Sequence, residues 1–155
     1  MKILFICTGN LCRSPFAAEY LKKILKERNV KNVEVYSAGL YTIEGNTAEE
    51  TANIVAQENG INLEKHRSQL LKPEDIQDAD LIFVMERMHF EDIMSSYPEA
   101  EDKIKLLRSF ARNGAIKTDI ADAYGFPLNN YRQCFKDIKE SVEGLYKYLK
   151  VNNKI

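Results

Sequence analysis

Residues 2–7, KILFIC, open the chain as a nearly unbroken apolar run. A strand with one wet face would alternate; this one reads as buried on both faces, inside a parallel sheet covered by helices. A helix signal follows almost at once. Over residues 14–27, Phe16, Tyr20, Leu21, Ile24 and Leu25 form one apolar stripe, Pro15 suits the first turn, and Lys22, Lys23, Lys26, Glu27 and Arg28 read as solvated. A buried strand joined to an amphipathic helix by a short loop is the opening of an α/β domain.

The remainder repeats the alternation. Residues 33–37 (VEVYS) read as a second strand ended by Ala38-Gly39, and residues 48–59 as a helix closed by Gly60. Residues 73–78 suit a short helix leading into a third buried strand, LIFVM, at 81–85. Residues 86–96 suit a helix stopped by Pro98, 104–107 a fourth strand, and 113–130 a loop. The clearest helix covers 131–150, where Tyr131, Cys134, Phe135, Ile138, Val142, Leu145, Tyr146 and Leu149 share one face. With 155 residues and no linker or repeat, the expectation is one domain over 1–155. In such a fold ligands bind beyond the carboxyl ends of the strands, where Cys7 lies.

A net charge of −1 gives no reason to expect nucleic acid or membrane as a partner. No apolar run approaches the ~20 residues of a membrane span, and the N-terminus lacks a signal-peptide pattern, so a cytoplasmic protein is expected. Three cysteines are too few and too odd for a disulfide framework.

The loop CTGNLCRS admits four readings. Three cysteines and two histidines without paired spacing do not build a zinc site, so no metal is expected. A redox pair of the C-x-x-C type is missing, and a Walker loop needs a second glycine and a lysine. The fourth reading is Cys7-x₅-Arg13. A strand-to-helix loop, here Thr8, Gly9, Asn10, Leu11, Cys12 and Ser14, can curl its N–H groups around an anion. The helix start adds its positive end, and Arg13 a planar fork for two phosphate oxygens. The same positive potential stabilises a thiolate at Cys7, placed to attack phosphorus.

CTGNLCRSP resembles the loop C-x-G-N-x-C-R-S-P of the low-molecular-weight protein tyrosine phosphatases at every fixed position. Further likeness lies in SAG at 37–39, NGINL with His66 beyond it, DADLIFVM at 78–85 and DIADAYG at 119–125. The resemblance implies a flavodoxin-like three-layer α/β fold with a central four-stranded parallel sheet. It also implies a reaction through a phosphocysteine that needs no cofactor, with phosphoproteins as substrates and inorganic phosphate and other oxyanions as competing ligands.

On this resemblance Cys7 is the nucleophile, Arg13 holds the phosphoryl group, and Asp122 protonates the leaving oxygen and then activates water. The family's proline after this aspartate is Ala123 here, which frees the loop's φ. Asp119 is the competing acid, or else a turn or cap residue. Asn10 suits an unusual backbone conformation, Ser14 can donate to the Cys7 thiolate, and Ser37 and His66 match the family's supporting polar network. His89 reads as an ordinary helix-face residue, and Cys134 as core. Cys12 is either a small apolar loop residue or, as the family's matching cysteine does, the thiol that traps oxidised Cys7 as a disulfide.

For the substrate, the family's arginine phosphatases carry threonine at the position of Leu11, whereas its tyrosine phosphatases carry a bulkier aliphatic residue. Leu11 therefore favours an aromatic ring, with Tyr41, Ile43 and Tyr124 as candidate slot walls. Arginine phosphatase is the alternative. An arsenate reductase would need a further cysteine pair near the third strand, and residues 80–87 contain none. A silent phosphate-binding module would have no use for Cys7 together with Asp122.

Overall fold

The computed structural model describes residues 1–112, 114, 116 and 118–155. Among the described residues there are four strands: β1 (Lys2–Cys7), β2 (Glu34–Gly39), β3 (Leu81–Val84) and β4 (Ile104–Leu106). All pair in parallel, in the order β2-β1-β3-β4. The helices are α1 (Arg13–Glu27), α2 (Glu50–Glu58), α3 (Pro73–Asp78), α4 (Arg87–Ser96) and α5 (Leu128–Val151), with 3-10 turns at Pro98–Lys103 and Leu107–Phe110.

The strict alternation of side chains along β1 divides the core in two. Ile3, Phe5 and Cys7 face α1, α2 and α5, where Phe16 stacks on Phe135 with ring centroids 3.9 Å apart. Leu4 and Ile6 face the opposite layer with Ile76, Ile82, Val84, Ile93 and Ile104. Because both faces are covered, the central strands β1 and β3 carry no polar alternation. This is the three-layer α/β fold expected.

Several boundaries differ from those expected, each for a local reason. Ala38-Gly39 does not end β2: these residues pair with Ile6 and Cys7. A Cβ on Gly39 would lie 2.9 Å from Thr8 O and 3.0 Å from Asn10 N, so the glycine is needed where the loop after β1 crosses it. α5 starts three residues early, at Leu128, because Pro127 supplies its extended N-cap. Leu107 leaves β4 for a 3-10 turn. Gly60, with φ of 75°, takes up the left-handed turn after α2. Of the loop expected over 113–130, residues 113, 115 and 117 lie outside the described residues.

Candidate active site

The loop from Cys7 to Arg13 joins β1 to α1 and is shaped by what its carbonyls meet. Cys7 O accepts from Leu40 N, Thr8 O from Tyr41 N, Leu11 O from Glu49 N, and Cys12 O from Phe16 N. Asn10 O accepts from His66 Nε2 at 2.7 Å. In a trans peptide the N–H points opposite to the C=O. Five carbonyls drawn outward therefore turn the amides of Thr8, Gly9, Leu11, Cys12 and Arg13 inward, into a concave set of donors suited to an anion.

Asn10 makes the sharp bend, at φ of 54°, and its side chain holds it there. Its amide donates to Ser14 Oγ (2.8 Å) and Ser37 Oγ (2.9 Å), while its oxygen accepts from Gln69 N (2.9 Å). Both hydrogens and the oxygen of this buried amide are thus engaged. Ser14 Oγ lies 2.9 Å from Cys7 Sγ and 3.5 Å from Ala38 O. With Asn10 donating to it, the serine keeps its own proton for the nearer sulfur, to which Asn10 N also donates at 3.3 Å.

Arg13 is buried, and its Nη1 donates both hydrogens, to Glu86 Oε2 and Ile120 O, each at 2.8 Å. This fixes the plane of the guanidinium and leaves Nε and Nη2 for two ligand oxygens; Nη2 stands 3.6 Å from Asp122 Oδ2. Burial works against the cation, but Cys7, Glu86 and Asp122 outweigh it and hold the Arg13 pKa above its ordinary value.

These groups surround a cavity of about 200 Å³ lined by Cys7, Thr8, Gly9, Leu11, Cys12, Arg13, Glu49, Asp122 and Tyr124. Asp122 accepts from Tyr124 N at 3.1 Å. Asp119 is elsewhere: its carboxylate accepts from Arg87 N at 2.8 Å and caps α4. Tyr41 and Ile43 do not line the cavity, a departure from expectation. Tyr41 N is tied to Thr8 O and its hydroxyl donates to Asp92, which carries this segment outward and leaves both side chains mostly exposed. Cys12 and Cys134 are buried thiols; burial pushes Cys12 well up, and Cys134 to about 12.

Three residues of the site were missed by sequence reasoning. Glu86, before α4, clamps Arg13. Glu49, before α2, lines the cavity and accepts from Tyr131 OH at 2.8 Å, and burial raises its pKa. His89 is fully buried, not a helix-face residue, and contacts Thr8. The one signal in the sequence was the E-x-x-H spacing after the third strand. Behind the loop, Ser37, His66 and Gln69 line a second cavity of about 620 Å³ whose lining includes no cysteine. Burial lowers the His66 pKa, and the imidazole donates to Asn10 O through Nε2–H.

Residues 2–154 match the family model described as low molecular weight phosphotyrosine protein phosphatase. A protein-arginine-phosphatase of Geobacillus stearothermophilus is 38% identical over 144 residues, 93% of each chain. The probable low molecular weight protein-tyrosine-phosphatase AmsI of Erwinia amylovora is 38% identical over 122 residues, 79% of this chain and 78% of its own. The crystal structure of a low molecular weight protein tyrosine phosphatase from T. tengcongensis superposes with a TM-score of 0.87 at 35% identity, covering 96% of this chain and 99% of that one. Matched over residues 2–154 and at these identities, this chain belongs to the low molecular weight phosphotyrosine protein phosphatase family.

Proposed function

We propose that this chain hydrolyses phosphotyrosine and other aryl phosphate monoesters, through a phosphocysteine at Cys7. One observation carries the reading: Cys7, Arg13 and Asp122 share a single cavity with an apolar wall at Leu11 and an aromatic one at Tyr124. The inward amides and Arg13 hold the phosphoryl oxygens. The Cys7 thiolate attacks phosphorus in line, forming S–P as the P–O bond to the aryl group breaks. Asp122 gives its proton to the departing oxygen. Water then attacks phosphorus while Asp122 takes its proton; the S–P bond breaks and phosphate leaves. The Ser14 hydroxyl and the Asn10 amide steady the thiolate at both ends of the cycle.

Cys12, in the same cavity, is the proposed resolving thiol for oxidised Cys7, and its raised pKa makes that a slow step. A cytoplasmic location fits this reduced-thiol chemistry.

Glu49 favours a second reading, phosphoarginine, because a carboxylate in the cavity wall can pair with a guanidinium. Hydrolysis of matched phosphotyrosine and phosphoarginine peptides by the same preparation decides between them. Phosphotyrosine is expected to be preferred, and Leu11→Thr to move the ratio of kcat/KM toward phosphoarginine by about tenfold. Preference for phosphoarginine in the wild type overturns the tyrosine reading, and an unmoved ratio in the variant refutes the role of Leu11.

A further inference from the structure

His89 is fully buried in the third residue of α4, between two parts of the site that the chain separates by about eighty residues. Its Nδ1 accepts from Glu86 N at 3.1 Å. That nitrogen therefore carries no proton, and the hydrogen must sit on Nε2, which donates to Thr8 Oγ1 at 2.8 Å. One neutral imidazole thus ties the second residue of the phosphate loop to Glu86, the residue whose carboxylate fixes the guanidinium of Arg13.

We propose that His89 is a positioning residue for this reaction: as the Nε2–H tautomer it couples the Thr8 end of the phosphate loop to the Glu86–Arg13 clamp, so that the oxyanion donors of both are held in one geometry. The inference rests on the phosphatase reading only for what that geometry is used for.

The wiring has a sign. A second proton, on Nδ1, would point at Glu86 N–H, which also needs an acceptor, and the two donors would repel. The cap of α4 and the clamp on Arg13 would loosen together. The charged groups facing the ring are Arg13 from α1, Glu86 just before its own helix and Asp92 on it, and Asp119 from the loop before α5. Burial and Arg13 resist protonation more than the three carboxylates favour it, and hold the His89 pKa below its ordinary value. The coupled geometry is therefore kept at neutral pH and lost only on acidification.

Two isosteres separate capping from coupling. Asparagine places an acceptor near the Nδ1 position and keeps the cap without reaching Thr8. Glutamine places a donor near the Nε2 position and keeps the reach. Inorganic phosphate affinity, measured by calorimetry, is expected to weaken about tenfold in His89→Asn, the worth of one hydrogen bond, and to be largely kept in His89→Gln. Thr8→Val should weaken it to the same degree, and Thr8→Val with His89→Asn no further than either alone. The acid limb of phosphate binding should move in His89→Gln.

Effects of Thr8→Val and His89→Asn that multiply, or Asn and Gln variants of equal affinity and different stability, reduce His89 to a cap of α4 and overturn the proposal. A wild type that binds phosphate and hydrolyses no aryl phosphate overturns the phosphatase reading alone, because the coupling is still read from binding.

Discussion

The nucleophile is prepared by small groups. Cys7 sits at the end of a buried strand, and its sulfur meets one serine hydroxyl and one backbone amide. Both contacts depend on Asn10, which holds a left-handed backbone and orients Ser14 in the same gesture. The two late-loop aspartates, alike on paper, part company in space. Asp122 shares the cavity of Cys7, while Asp119 accepts from the first amide of α4. Asp122→Ala should lower kcat on phosphotyrosine about 10²–10³-fold, within the usual worth of general acid catalysis. Asp119→Ala should chiefly lower the Tm, by the loss of one cap. Steady-state kinetics and thermal melts on the two variants check this, and the reverse assignment would make Asp119 the acid.

At the scale of elements, the loop is a span between β1 and α1 braced from three sides. The segment after β2 meets Cys7 O and Thr8 O, the residue before α2 meets Leu11 O, and His66 meets Asn10 O. Gly39 is the narrowest point. Its Cβ position lies within contact of both Thr8 O and Asn10 N, so a methyl group there must push the loop. Gly39→Ala should weaken phosphate binding about tenfold and destabilise the fold by about 1–3 kcal/mol, the ordinary penalty of overpacking; titration calorimetry and urea unfolding read the two effects.

The loop's chemistry was legible in the sequence because Cys7, Asn10, Arg13 and Ser14 are neighbours in the chain. Its braces were not. Glu49, Glu86 and His89 reach the site only through the packing of α2 and α4, and each sits at a helix start where acidic and polar residues are ordinary. Ala38-Gly39 looked like a strand terminator because glycine usually is one; here it stays in the ladder to make room. Tyr41 and Ile43 looked like slot walls by proximity in sequence, but their segment is drawn outward by Tyr41 N and the contact with Asp92.

Across the whole molecule, strand order places the site. From β1 the chain crosses to β2 on one side and later returns to β3 on the other, so the crevice at the carboxyl end of β1 is bounded by loops running both ways. Among the described residues no helix is long and apolar enough to cross a membrane.

The two histidines make this architecture sensitive to acid. Burial lowers the pKa of both His66 and His89, each with a ring nitrogen committed to the loop. Unfolded histidine titrates near ~6.5. Below that pH the unfolded chain binds more protons than the folded one. The stability due to the neutral imidazoles is therefore whole above ~6.5 and lost as pH falls through the lowered values. Urea midpoints should drop between about pH 7.5 and about pH 5.5, and drop less in His66→Gln. An equal drop in that variant would remove His66 from the account.

The most direct measurement is the capture of the intermediate. In Asp122→Ala, para-nitrophenyl phosphate brings a leaving group that needs little help, whereas hydrolysis of the phosphocysteine still lacks its base. Rapid quenching and peptide mass spectrometry should then find phosphate on Cys7, preceded by a burst of para-nitrophenol close to one equivalent of enzyme. A wild type that turns over while neither burst nor phosphorylated Cys7 appears in the variant would contradict covalent catalysis at this cysteine.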